Sequence, residues 1–385
     1  MRILADEKIH FVYEAFSTVG EVHTMPGRAI RREHLREVDV LLTRSLTRVN
    51  RDLLEGTSVR FVGTCTSGED HIDRQYLAEQ RIAYAAARGC NADSVAEYII
   101  AALLELANRL GFDPASKTLG IIGVGHVGSR VLAKARALGI RCVLNDEPLA
   151  GVTCEPCYRP LDEVLACDII TLHVPLERGG PYPTYHLVND VFLAALRRGT
   201  ILINAARGAV VDNRALKIAL LSGGLAACVL DVWEGEPTPD PELIPLCALA
   251  TPHIAGYSYE GHVNGTVQIY QALCRYLGVS PTWTPDAHMA TPNVPKVFLH
   301  GTGWDAVRAA VKAAYDITCD DRNFRRILTL PAEERGAYFD RLRKEYPVRR
   351  EFSVIEVHLE REDPVLRRQL TGLGFRTAPA EAVAC

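Results

Sequence analysis

A chain of 385 residues, 48% apolar and 23% charged, has the make-up of an ordinary globular protein long enough for two or three domains. Its formal charge of −4 offers no electrostatic attraction to nucleic acid or an anionic membrane. No apolar run reaches the length of a membrane span, and Met1-Arg2-Ile3-Leu4-Ala5-Asp6-Glu7 turns acidic without a signal-peptide core. The count of 11 cysteines is odd, and they are scattered through apolar patterns such as Ala227-Cys228-Val229. That pattern suits reduced, buried thiols in a cytosol rather than a disulfide framework.

Taken in chain order, the first ninety or so residues alternate short apolar strands (3–5, 38–43, 59–64) with helical patterns (9–19, 31–37). Such alternation predicts a parallel sheet covered by helices. A long apolar-periodic helix follows over 92–110. Then comes Thr118-Leu119-Gly120-Ile121-Ile122-Gly123-Val124-Gly125-His126-Val127-Gly128, an apolar strand running into Gly-x-Gly-x-x-Gly and a helical pattern. Gly123 permits the tight turn, Gly125 lets a pyrophosphate approach the backbone, and Gly128 lets helix and strand pack closely, with the helix N-terminus facing the phosphates. The next strand, 141–145, ends at Asp146, about 20 residues past the glycines, where an acid accepts from an adenosine ribose. Further strands are predicted at 168–173, 200–204, 226–231 and 249–251, as continuous apolar runs buried on both faces. A helix follows over 262–276. Pro281, Pro285, Pro292 and Pro295 mark a boundary before a smaller α/β segment with helices near 304–315 and 331–345 and a strand over 352–358. Cys154 and Cys157 have C-x-x-C spacing, but no second pair or histidine cluster completes a zinc site, and no metal is expected.

In doubly wound sheets, ligands sit beyond the carboxyl ends of the strands. Arg207, Glu236 and His253 each follow a predicted strand in that position. Together they supply what oxidation of a 2-hydroxy acid needs: a fork for a carboxylate, an acid to orient an imidazole, and an imidazole to take the hydroxyl proton. His71, His126, His173 and His186 compete for that last role, with His173 at the end of a buried strand. Arg44-Ser45 and Thr66-Ser67-Gly68, at two further strand ends, are candidates for a second anion site.

The motifs Gly123-Val124-Gly125-His126-Val127-Gly128, Asn204-Ala205-Ala206-Arg207-Gly208, Asp231-Val232-Trp233-Glu234-Gly235-Glu236-Pro237 and Thr251-Pro252-His253-Ile254-Ala255-Gly256 resemble those of the D-isomer-specific 2-hydroxyacid dehydrogenases. Five further segments narrow the likeness to one branch of that family: 26–30, 44–50, 63–73, 180–187 and 253–261. The resemblance implies a Rossmann-type, doubly wound cofactor domain over 93–255 and a flavodoxin-like, discontinuous substrate domain from 1–92 and 256–284 that clasps it. It also implies a small α/β dimerisation domain over 285–385, hence a homodimer. It implies NAD as cofactor and a phosphorylated hydroxy acid as substrate. Carried over position by position, Arg207, Glu236 and His253 are catalytic, and Ser45, Thr66 and Tyr257 contact substrate; Arg44, from the strand-end reading above, is placed with the substrate contacts. The cofactor contacts become Gly123, Gly125, His126, Val127, Gly128, Asp146, Val174, Ala205, Ala206, Arg207, Asp231 and Gly256. Val174 departs from the pattern, which has Thr there. Two other readings compete: a dehydrogenase of 3-phosphoglycerate, one carbon shorter, and a dinucleotide-sensing scaffold of the corepressor type. The 257–260 segment and the C-terminal domain oppose the first, and the intact Arg207, Glu236 and His253 oppose the second.

Overall fold

The computed structural model describes residues 1–153 and 157–378; Cys154 of the C-x-x-C spacing lies outside them. The chain forms two compact units, residues 1–91 with 258–291 and residues 92–257 with 292–385. The first unit holds five parallel strands, β1 (Arg2–Asp6), β2 (Glu21–Met25), β3 (Val40–Thr43), β4 (Phe61–Thr64) and β5 (Ala83–Ala86). They lie in the order β2-β1-β3-β4-β5, the flavodoxin-like order. Alternation along β1, β3 and β4 explains why these runs read as continuously apolar: Ile3, Val40, Leu42 and Phe61 pack to one face with Phe16 and Ile269, while Leu4, Leu41 and Val62 pack to the other with Leu35 and Leu77. Helix Tyr259–Leu277 closes the first face.

The second unit holds β6 (Thr118–Ile122), β7 (Arg141–Asn145), β8 (Ile169–Leu172), β9 (Thr200–Asn204), β10 (Leu225–Leu230) and β11 (Leu249–Ala250). All pairings are parallel, in the order β11-β10-β9-β8-β6-β7. The chain reverses direction across the sheet between β6 and β8, which is where a doubly wound sheet opens its ligand crevice. Leu119, Ile121, Ile169, Ile201, Ile203 and Val229 pack under helices Ala92–Leu110 and His126–Ala137. On the reverse face, Ile122, Ile170, Leu172, Leu202 and Leu230 form a second core.

Residues 292–378 form a three-stranded parallel sheet, with β13 (Glu356–Leu359) between β12 (Lys296–Leu299) and β14 (Arg376–Ala378). This segment shares a core with the six-stranded sheet's helices: Phe352, Val357, Leu366, Leu370 and Phe375 belong to the same cluster as Ile99, Ile100 and Val131. Gly372 lies where a Cβ would collide with that of Ala137, and Lys134 Nζ donates to the Leu373 carbonyl at 2.7 Å. Two helices of the segment, Ile317–Arg325 and Ala332–Lys344, also reach the other core, packing Phe339 edge-on against Phe324 and Phe324 tilted against Trp233.

Several elements differ from expectation for local reasons. The helix expected over 31–37 is a 3-10 turn, Arg32–Leu35, because only Leu35 finds a core to enter. The helix expected over 9–19 shortens to Val12–Phe16, behind Phe11 held left-handed at φ 54°. The strand expected over 352–358 begins with a 3-10 turn, Phe352–Val354, and pairs only as β13. No helix among the described residues is long and apolar enough to cross a membrane.

Candidate active site

The glycine turn sits where β6 ends. Gly123 has φ +85°, and a Cβ on it would come within 2.9 Å of the His173 carbonyl and Val174 Cγ1 at the end of β8. A Cβ on Gly128 would strike the Gly123 carbonyl oxygen, so the helix approaches its own turn only because position 128 has no side chain. A Cβ on Gly125 would meet nothing within 4 Å: it would project into open space, where the structure has a cleft. That cleft, about 470 Å³, is lined by the glycine turn, by Asp146 after β7 and by Val174 after β8. His126 and Val127 open the helix, His126 exposed at its first position. Their backbone N–H groups, with that of Gly128, are among those a helix start leaves without intrahelical partners. The turn and cleft therefore fit a dinucleotide: a cradle without side chains, a helix N-terminus for the pyrophosphate, and a carboxylate at the ribose position.

Asp146 is tied into this frame. Its Oδ2 accepts the Val124 N–H at 2.7 Å and its Oδ1 the Leu149 N–H at 3.0 Å, joining the turn to the start of the next helix. The cleft lining also carries Glu147 and Glu177, and no Lys or Arg among the described residues.

Further along the same sheet end, β9, β10 and β11 deliver the remaining polar residues. Asn204, fully buried at the end of β9, accepts the Ala206 N–H and donates to the Arg207 carbonyl, both at 3.0 Å, which shapes Ala205-Ala206-Arg207. A Cβ on Gly208 would overlap the Trp233 carbonyl, so the Arg207 turn lies directly against the loop after β10. In that loop Glu236 Oε1 accepts the Trp233 N–H at 2.9 Å, and its Oε2 meets His253 Nδ1 at 2.7 Å. Burial opposes charge on Glu236, yet the charge and hydrogen bond of His253, the Trp233 N–H and the positive charge of Arg343 hold its carboxyl below the usual range.

Asp231 sits differently from a solvent-facing contact. It is 1% exposed; Oδ1 accepts from the Thr251 hydroxyl at 2.6 Å and the Ile254 N–H at 2.8 Å, and Oδ2 from the Ala255 N–H at 2.9 Å. These bonds flank His253, whose backbone is left-handed at φ 59° and whose N–H reaches the Asp231 carbonyl at 2.6 Å. A non-glycine residue held there costs about 1–3 kcal/mol, so the surrounding bonds must over-determine the turn. Gly256 and Tyr257 follow, both half-buried.

Three of the competing histidines, His173, His186 and His71, have other partners. His173 is half-buried in the wall of the cleft, its Nε2 beside the Thr171 hydroxyl at 3.0 Å, and the loss of water around the ring pushes it down to about 3, so it stays neutral. His186 meets Glu234 at 2.7 Å and stacks on Tyr185. His71 and Thr66 belong to the other unit, and both approach the Thr64 hydroxyl, at 3.0 and 2.9 Å. There, Thr43 and Thr64 end β3 and β4 in register, so Arg44-Ser45 and Thr66 emerge at one end of one sheet. Burial first, and then the charge of Arg44, lowers the proton affinity of His10 and His262, two stacked rings that sequence reasoning did not single out. Sequence reasoning also passed over Asn204 and Arg343.

A glycine cradle at a sheet's switch point, with a histidine–carboxylate pair and an arginine at the same sheet end, defines an NAD-binding dehydrogenase domain of the 2-hydroxyacid class. Residues 96–255 match the D-isomer specific 2-hydroxyacid dehydrogenase NAD binding domain, and residues 289–374 match a family described as a domain of unknown function. The chain is 47% identical to the erythronate-4-phosphate dehydrogenase of Azotobacter vinelandii, over 97% of its own length and 99% of that protein's, and 47% identical to that of Pseudomonas aeruginosa PAO1, over 93% and 95%. It belongs to the erythronate-4-phosphate dehydrogenase family. Among solved structures it is similar to a glyoxylate reductase from Paecilomyes thermophila, with 26% identity, a TM-score of 0.60, and 74% and 99% of the two chains covered. The D-lactate dehydrogenase of Aquifex aeolicus, solved with NAD and lactic acid, shares the fold at 23% identity and a TM-score of 0.57, over 72% and 96% of the two chains.

Proposed function

We propose that the protein oxidises 4-phospho-D-erythronate to (R)-3-hydroxy-2-oxo-4-phosphobutanoate with NAD, a step in pyridoxine 5'-phosphate (vitamin B6) formation. The observation that carries this reading is the 2.7 Å contact between His253 Nδ1 and Glu236 Oε2 at the sheet end that also bears Arg207. NAD, held at the glycine turn and Asp146, would supply the hydride acceptor for the oxidation. The His253 ring uses Nδ1 toward Glu236, which leaves Nε2 to take the hydroxyl proton. Ionised Glu236 fixes the ring and favours the imidazolium that results. The Arg207 guanidinium binds the substrate carboxylate. In this reading Arg44, Ser45, Thr66 and Tyr257 contact substrate. The glycine turn with His126 and Val127 holds the pyrophosphate, Asp146 the ribose, and Val174, Ala205, Ala206, Asp231 and Gly256 the rest of the cofactor.

Free cysteines throughout the described residues support a cytosolic setting. Exposed Phe298, Val348 and Val365 on the C-terminal segment support a homodimer built through it. The test is a panel of 2-hydroxy acids with and without a terminal phosphate, followed by nicotinamide absorbance. A preference for 4-phospho-D-erythronate bears the reading out. A preference for 3-phosphoglycerate moves it to the shorter substrate, and no turnover with any acid moves it to a dinucleotide sensor.

A further inference from the structure

The helix Ala332–Lys344 carries Arg343 to the loop of Glu236. Its stem packs inside: Nε is buried without a hydrogen-bond partner, and the guanidinium lies 6.0 Å from the Phe339 ring centroid, one helical turn back. The same guanidinium lies over the ring of Tyr257, 5.6 Å from its centroid, and Tyr346 meets that ring edge-on from another side at 5.7 Å. Arg343 forms no ion pair and no hydrogen bond among the described residues. Glu236 feels its charge but spends both oxygens on Trp233 and His253.

This is an unusual place for an unsatisfied guanidinium. A surface arginine would extend into water and keep its hydration; this one gives up water at Nε, and its terminal nitrogens have no acceptor among the described residues. The cost of partly burying the cation is offset when an anion completes the fork. The substrate proposed above has two anionic ends. Arg207 answers to the carboxylate, and among residues 92–257 with 292–378 Arg343 is the cation placed against the Glu236 loop and Tyr257 together.

We infer that Arg343, supplied by the C-terminal segment, binds the terminal phosphate of the substrate and so sets the preference for a phosphorylated hydroxy acid. The inference rests on the proposed substrate. It gives the C-terminal segment a part in specificity besides packing: the helix that buries Phe339 under Trp233 also delivers the phosphate ligand. The guanidinium suits this role, because its planar fork matches two phosphate oxygens while the Tyr257 face holds it in plane.

The experiment compares kcat/KM for 4-phospho-D-erythronate and for D-erythronate in the wild-type protein, R343M and R343K. R343M keeps the apolar stem and removes the charge; R343K keeps the charge and loses the fork. The ratio of the two kcat/KM values is expected to fall roughly 10²-fold in R343M, the scale of a lost charge-assisted pair, with R343K in between. Thermal stabilisation by NAD, measured alongside, verifies that each variant is folded. If wild type prefers the phosphorylated acid and R343M keeps the same ratio, the inference is overturned. A parallel loss on both acids with a displaced turnover–pH profile also overturns it, since Arg343 would then act through Glu236. If wild type uses both acids equally, the proposed substrate is wrong and the inference falls with it.

Discussion

His253 Nδ1 and Glu236 Oε2 stand 2.7 Å apart, in loops that follow two neighbouring strands, β11 and β10. The pair is held from behind. Trp233 N–H fixes the other oxygen of Glu236, and Asp231 bonds the backbone after His253 twice. Replacing His253 with Ala is expected to lower turnover roughly 10²–10⁴-fold, the range for a lost general base, with little change in NAD affinity. Steady-state kinetics beside a cofactor titration checks this, and a near-wild-type rate would move the role to another group.

Glu236→Gln tests the carboxylate by pH. Its carboxyl is held below the ordinary value of 4.5, with burial outweighed by His253, the Trp233 N–H and Arg343. A depressed acid contributes stability that is present above its unfolded value and is lost as pH falls through the folded value. The variant's melting temperature is therefore expected to fall less steeply than wild type's below about pH 4.5. In turnover, the amide holds His253 Nδ1 less firmly than the carboxylate, so kcat is expected to fall. An unchanged kcat would show that the charge of Glu236 is not needed to hold the His253 ring.

NAD is expected to be used well ahead of NADP. The cleft presents Asp146, Glu147 and Glu177, and no lining cation among the described residues, to a 2′-phosphate. Both oxygens of Asp146 are anchored to backbone N–H groups, so the carboxylate has no easy way to swing aside. Comparing kcat/KM for the two cofactors decides it. Equal use would mean that the ribose lies elsewhere than beside Asp146.

Gly128→Ala probes the cradle itself. Its Cβ would run into the Gly123 carbonyl, a backbone group that cannot swing away as a flexible side chain can. The helix must shift off the turn and carry its N-terminal N–H groups away from the pyrophosphate together. NAD affinity is therefore expected to drop at least roughly tenfold by calorimetry. Gly125→Ala makes a separate control: its Cβ enters open cleft and meets no protein atom, so it is expected to weaken NAD without lowering the melting temperature.

How much of this was legible in the chain depended on the length scale of the signal. β6, β8, β9 and β10 are buried on both faces, so their apolar runs announced them. β2, Glu21–Met25, lies at the edge of its sheet and is nowhere fully buried, and the alanine-rich β5 is half-buried throughout; neither carries a pattern a reader can separate from loop. The glycines and the Arg207, Glu236 and His253 positions were readable because each lies next to its own strand. Asn204 was in view as a motif letter, but its bracing of Arg207 depends on a side-chain direction. Arg343 had no local mark at all. It lies ninety residues beyond His253 in a largely polar helix, and only packing of Phe339 and Phe324 beneath Trp233 brings it to the site.

Removal of the C-terminal segment is expected to unsettle the fold of the unit that carries the glycine turn. Phe352, Phe375, Leu366 and Leu370 are nearly inaccessible and share one core with Ile99, Ile100 and Val131 of the helices flanking the glycine turn. Arg349, also buried, donates to the carbonyls of Ala255 and Ser94 and lies 3.7 Å from Glu97. A chain ending near Pro285 would expose those helix faces and leave Glu97 facing Lys134 without its second cation. Burial pushes the Glu97 carboxyl up to about 8 even with both cations beside it, so the larger loss is that of the buried aromatic and leucine side chains, at about 3–5 kcal/mol for each phenylalanine. The truncated chain is therefore expected to be aggregated or molten, with NAD stabilising it little. Full-length protein carrying only Phe298→Asp separates self-association from folding, because Phe298 is 61% exposed on β12 and a charge there leaves the shared core intact. Light scattering is expected to report a smaller species for that variant with an unchanged melting temperature at low concentration. An unchanged mass would place any self-association surface away from β12.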